Sequence, residues 1–124
     1  MPRFVALYHD CPDDRPRPSH WDFMLEADGV LRTWALERAP DSAADQIAEQ
    51  LPDHRIAYLD YEGPVSGDRG EVTRWDAGEY RWLTNEPATV VIDVVGRRLR
   101  GVVTLTCASA QLQRWRFSLV PASR

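Results

Sequence analysis

The 124-residue chain is 44% hydrophobic and 27% charged, a balance that excludes a disordered segment or a membrane-embedded helix and suits one domain spanning residues 1–124. Its 19 acidic residues outweigh 15 basic ones for a net charge of −4, which excludes broad electrostatic binding to nucleic acid. Every basic residue is an arginine, so a local groove could still grip phosphates through the planar guanidinium fork.

The predicted elements are mostly short strands. Phe4 to His9 is apolar and aromatic, and it leads into a proline-rich loop from Cys11 to Ser19. Trp21 to Ala27 alternates cleanly up to Asp28-Gly29, a two-residue hairpin signal, and Val30 to Leu36 follows. Ser42-Ala43-Ala44-Asp45 resembles a helix start, and Ala44, Ile47, Ala48 and Leu51 have helical spacing, which predicts one helix over about residues 42–51, closed by Pro52. After a second loop, Gly63 to Gly70, come Glu71 to Trp75, a turn at Asp76-Ala77-Gly78, and Glu79 to Leu83. Thr89 to Val95, Leu99 to Cys107 and Gln111 to Val120 complete the meander. The expected fold is mainly β, a small closed or nearly closed barrel of about eight strands with one covering helix. Two cysteines, Cys11 and Cys107, are too few for a disulfide framework and read as reduced thiols. The start, Met1-Pro2-Arg3-Phe4, does not read as a signal peptide, so a cytoplasmic protein without a membrane segment is expected.

The chemistry concentrates on three histidines, each set among polar neighbours. In a strand alternate side chains share a face, so His20, Asp22, Met24 and Glu26 would point one way and Trp21, Phe23 and Leu25 the other. His20 and Asp22 would then have Cα atoms ~6.5–7 Å apart, close enough for an imidazole and a carboxylate to meet on one cation. His9 could supply a third ligand, leaving positions open for water or substrate. Two other arrangements fit the spacing: a plain His20–Asp22 hydrogen bond on a solvated face, or a zinc site using His9, Cys11 and His20. His54 and Tyr58 form a second cluster, suited to orienting a phosphate or protonating a leaving group.

These segments resemble a known family. Tyr8-His9-Asp10, His20-Trp21-Asp22-Phe23, the hairpin Leu25 to Ala35, and Asp53-His54 through Tyr58 to Tyr61-Glu62-Gly63 are similar, in order and register, to the N-terminal phosphoesterase domain of bacterial DNA ligase D and its stand-alone relatives. Gly70 to Tyr80 and Gly96 to Gly101 resemble its later strands. The resemblance implies a β-barrel, manganese-dependent enzyme that removes 3′-phosphates and terminal ribonucleosides from DNA 3′ ends. His9, His20 and Asp22 would hold Mn2+, with Zn2+ as an alternative metal. His54 and Tyr58 would contact the scissile phosphate, Arg38 would assist, and a separate ligase or polymerase would be a fitting partner.

Three departures qualify the match. Met24 and Gln46 stand where active relatives carry arginines, and a thioether or neutral amide cannot neutralise phosphate. The interval between His9 and His20 is longer than is usual, and it holds Arg15 and Arg17 among prolines, either of which could replace the missing cation. Three functions therefore compete: a metal-dependent phosphoesterase on DNA 3′ ends or another phosphate ester, an accessory module of the same fold that binds without turnover, and a structural barrel.

Overall fold

In the computed structural model, which describes residues 1–42 and 44–122, strands alternate along almost the whole chain. They are β1 (Arg3–Asp10), β2 (His20–Ala27), β3 (Val30–Leu36), β4 (Gln46–Arg55), β5 (Gly63–Pro64), β6 (Glu71–Glu86), β7 (Thr89–Gly96), β8 (Arg100–Ser109) and β9 (Arg114–Pro121). The hydrogen-bonded order is β1-β2-β3-β4-β9-β8-β7-β6-β5, and β1 also pairs with β6, so eight strands join in a closed ring and β5 lies outside it. All the pairings are antiparallel. Closure leaves no free edge along the ring. No helix among the described residues is long and apolar enough to cross a membrane.

Period-two alternation supplies the core. Phe4, Phe23, Trp34, Ala48, Tyr80, Ile92, Leu105 and Phe117, drawn from all eight ring strands, meet in one buried cluster. Phe23 meets Phe117, and Trp34 meets Trp115, edge to face, tying β2 and β3 to β9. The Asp28-Gly29 hairpin forms as its sequence requires, with both residues at positive φ (53° and 81°).

Two expectations are corrected. The expected covering helix is absent among the described residues. From Gln46 onward that segment is β4, which bridges β3 and β9; of the predicted start Ser42 to Asp45, only Ala43 lies outside the described residues and the others are not helical. Burial there alternates with period two: Gln46 and Ala48 are buried, Ile47 and Glu49 exposed. Pairing with two neighbours outweighed the helical spacing, since propensity is a weak prior against tertiary context. Pro52, read as a helix stop, falls where the register with β3 shifts and beyond the residues that pair with β9.

The Asp76-Ala77-Gly78 turn is likewise absent, because β6 runs through it unbroken for 16 residues. Buried Asp76 instead accepts backbone N–H bonds from Arg97, Arg98 and Leu99, shaping the distant β7–β8 connection. Gly78 lets β6 approach β7 closely, since a Cβ there would lie 2.1 Å from the Val95 carbonyl oxygen. The two corrections cancel in the count: one expected helix became a strand, and two expected strands fused.

The outer face of β1–β3 is also covered. Val5, Leu7, Met24 and Leu31 pack beneath Leu59 and Val65, which belong to the segment that leaves β4 through a 3-10 turn at Ile56–Leu59. The cover stops short of the loop end of β1 and β2. There the same outer stripe becomes polar and carries the site.

Candidate metal centre and phosphate cavity

The β1–β2 register builds the centre. Val5 lies opposite Met24, Leu7 opposite Asp22 and His9 opposite His20, so the apolar stripe passes directly into two imidazoles and a carboxylate. The rings of His9 and His20 lie 5.0 Å apart, and Asp22 sits between them and is buried. His20 Nε2 is 3.0 Å from Asp22 Oδ1, and His9 Nδ1 is 3.7 Å from Asp22 Oδ2.

Backbone carbonyls fix the tautomers. His9 Nε2–H donates to the Arg69 carbonyl at 2.7 Å, His20 Nδ1–H to Pro18 at 2.9 Å, and His54 Nδ1–H to Pro52 at 2.9 Å. A carbonyl only accepts, so in each neutral ring the opposite nitrogen carries a lone pair. The lone pairs of His9 Nδ1 and His20 Nε2 therefore face the carboxylate. Asp22 Oδ1 is buried without a hydrogen-bond partner, and the His20 contact brings two electron-rich atoms together. A proton or a cation between them removes that conflict. This donor set, with each imidazole braced by a carbonyl, fits a divalent metal.

Burial alone would push the Asp22 carboxyl up, but His20, His9 and the nearby His54 outweigh it and hold it at about 2. Asp22 in turn raises the His9 imidazole above its ordinary value. Cys11 lies beside His20, its Sγ 3.9 Å from Nδ1, and His9, Cys11 and His20 offer one donor atom each within 4.8 Å of one another. Cys11 is thus on the Nδ1 side of His20, where the ring nitrogen already donates to Pro18, whereas Asp22 faces the lone pair. Burial raises the Cys11 thiol, and both cysteines are free.

The centre opens into a cavity of about 830 Å³. His9, His20, Asp22 and His54 line it, with Glu49 from β4 and four arginines, Arg15, Arg17, Arg69 and Arg114. Tyr58 is set back from this wall: it packs edge-on against His54, ring centroids 5.9 Å apart, and against the outer apolar cluster. Arg38 is not brought in. Its Nη2 donates to the Asp45 carbonyl at 2.6 Å, in a separate recess with Gln46 and Arg116.

Met24 lies on the same face as His20 and Asp22, as expected, but that face is apolar and covered at this position rather than polar: Met24 is buried in the outer cluster. The buried Gln46 amide is spent on backbone, accepting from Arg38 N and donating to the Arg38 and Ala39 carbonyls. The long β1–β2 loop, by contrast, folds over the cavity. Arg17 forks onto Glu49, and Arg15 holds the carbonyls of Gly67 and Asp68 in the loop whose Arg69 carbonyl braces His9.

Glu49, Arg69 and Arg114 were not anticipated. Glu49 was hidden by the helical reading of its strand, and Arg69 acts through a main-chain atom that carries no sequence signal. Arg114 shares the cavity only because β9 pairs with β4, in register with Glu49.

Comparison with known proteins supplies the remaining link. Residues 9–111, which include all three histidines and Asp22, match the family model of the DNA ligase D 3′-phosphoesterase domain. The multifunctional non-homologous end joining protein LigD of Pseudomonas aeruginosa is 39% identical over 66 residues, covering 49% of this chain and 8% of that protein. The multifunctional non-homologous end joining DNA repair protein LigD of Mycobacterium tuberculosis is 36% identical over 94 residues, 68% of this chain and 12% of that protein. The chain thus spans about a tenth of the length of these relatives. With the match extending over most of its length, the chain belongs to the DNA ligase D 3′-phosphoesterase domain family.

Proposed function

We propose that this protein is a metal-dependent phosphoesterase that removes 3′-phosphates or terminal ribonucleotides from DNA 3′ ends. The observation that carries the reading is the convergence of His9 Nδ1 and His20 Nε2 on the buried Asp22 carboxylate, whose Oδ1 has no hydrogen-bond partner, at the wall of an arginine-lined cavity. His9, His20 and Asp22 would hold the metal, and Mn2+ is the ion we propose, with Zn2+ as the alternative. When bound, such an ion supplies Lewis-acid polarisation of a phosphoryl oxygen and a more acidic water.

The chain's own groups do the rest. The Pro18 and Arg69 carbonyls fix the tautomer that leaves the ligand nitrogens with lone pairs in the neutral rings, and they aim those nitrogens at the site. His54 presents Nε2 at the cavity wall; once protonated, it can donate there to a phosphate or leaving-group oxygen. Tyr58 holds the His54 ring edge-on and acts as a positioning residue. Arg38 has no role in this reading. A cytoplasmic setting, and action beside a separate ligase or polymerase, belong to the same proposal.

One observation favours a second reading, a module that binds DNA ends without turnover. Met24 is sealed in the outer core and Gln46 is tied to backbone, so neither contributes to the cavity. The test is cleavage of a labelled duplex primer ending in a 3′-phosphate or one 3′-ribonucleotide, with and without Mn2+. Manganese-dependent loss of the end group, abolished in His20→Ala, supports the enzyme; Mn2+ and DNA binding without loss of the end group supports the module.

A further inference from the structure

Four guanidiniums line the cavity, and two of them are committed to the loops. Arg15 donates to Gly67 and Asp68, and Arg69 to Ser66. Arg17 is held differently. Its Nη1 and Nη2 donate to the two oxygens of a single carboxylate, Glu49, at 3.0 and 2.8 Å. Two parallel N–H···O bonds to one planar anion are the geometry with which guanidinium recognises phosphate. Arg114 is the register partner of Glu49 across β4 and β9 and lines the same cavity. Glu49 is therefore clasped by Arg17 at the wall of the candidate centre, with Arg114 opposite it on the neighbouring strand and lining the same cavity.

Building on the phosphoesterase reading, we propose that Glu49 is an internal stand-in for the substrate's terminal phosphate, and that Arg17 and Arg114 bind that phosphate after displacing Glu49. The pair is only partly covered, with 39% and 49% of the two side chains exposed, and an ion pair of this kind is held by no more than about fivefold. It can therefore open readily. What replaces Glu49 must bring more than its single charge. A phosphomonoester near neutral pH carries close to two negative charges and three acceptor oxygens. An internal phosphodiester carries one charge, so exchanging it for Glu49 gains nothing electrostatically. The clasp thereby selects the 3′-phosphate monoester over phosphodiesters, the linkage to a terminal ribonucleotide included, so it narrows the proposed substrates to 3′-phosphates, and Glu49 is the specificity-determining residue.

The test is calorimetric binding of inorganic phosphate, a dianion at about pH 8, and of dimethyl phosphate, a monoanion, to the full chain. Wild type should prefer inorganic phosphate. Arg17→Ala should weaken phosphate binding by about tenfold, and Arg17→Lys, which keeps the charge but loses the fork, by less. Glu49→Gln should strengthen dimethyl phosphate by about three- to fivefold and narrow the preference. Unchanged phosphate binding in Arg17→Ala, or an unchanged preference in Glu49→Gln, would overturn the clasp. Its fate is separable from that of the enzyme reading. If primer ends are not cleaved but the two anions respond as stated, the clasp stands as an anion site and only the enzyme reading fails.

Discussion

Asp22→Asn probes the centre through its protons. Holding the Asp22 carboxyl at about 2 instead of its ordinary 3.8 contributes roughly 2 kcal/mol to the folded, metal-free state. The group is almost wholly buried, so solvent screening takes little from that figure. Because the folded value is depressed, this stability is present above pH 3.8 and is lost as pH falls towards 2. His9 has the opposite sign. Its folded value is raised above 6.5 by Asp22, so its contribution is present below pH 6.5 and is lost as pH rises through the folded value. Metal-free protein should therefore be most stable between pH 3.8 and 6.5, where the carboxylate and imidazolium coexist. Asp22→Asn should flatten both limbs and cost about 2 kcal/mol near the maximum. Above it the gap should close, since an amide can donate into the His20 Nε2 lone pair that the carboxylate opposes. Urea unfolding in EDTA across the pH range, followed by the fluorescence of the five tryptophans, measures this. Wild-type stability that climbs steadily through pH 6.5, or a variant with the same two limbs, would refute the reasoning. Added Mn2+ should invert the neutral limb, because ligation needs deprotonated imidazoles.

Other residues give sharper structural contrasts. Met24→Ala should cost about 2–5 kcal/mol in the same unfolding assay, and Met24→Arg should destabilise more than Met24→Leu without raising primer cleavage, because the position is sealed beneath Leu59 and Val65. Gln46→Ala should cost about 1–3 kcal/mol through its lost backbone bonds, while cleavage per folded molecule stays unchanged. Gly70 has φ +93°, and a Cβ there would lie 1.9 Å from the Asp10 carbonyl oxygen. Gly70→Ala should therefore shift the loop whose Arg69 carbonyl braces His9, lowering thermal stability and weakening Mn2+ binding in a calorimetric titration.

The strand-rich meander was legible because Thr89 to Cys107 alternates in burial with period two, while Phe4 to His9 and Trp21 to Leu36 are short apolar strand-type runs whose middles are buried on both faces. Val30–Leu36 came out with its observed bounds, and the Asp28-Gly29 turn announced the first hairpin. Gln46 to Arg55 was misread because Ala44, Ile47, Ala48 and Leu51 satisfy helical spacing, and the vacancy between β3 and β9 that makes the segment a strand exists only in three dimensions. The same limit applies to the site. His9, His20 and Asp22 could be grouped from their types and spacing, and His54 and Tyr58 were paired in advance. The carbonyls that set the tautomers, the burial of Met24 and the Glu49–Arg114 register depend on chain segments far apart in sequence.

The central claim is that His9, His20 and Asp22 form one cation site, and Mn2+ titration followed by the loss of the free-ion electron paramagnetic resonance signal tests it most directly. At about pH 7.5, wild type should take up a single Mn2+ per chain; Asp22→Asn and His20→Ala should lose that uptake, and Cys11→Ala should keep it. Absence of Mn2+ uptake by folded wild type would contradict the claim. So would uptake that survives Asp22→Asn yet disappears in Cys11→Ala, which would move the site to His9, Cys11 and His20.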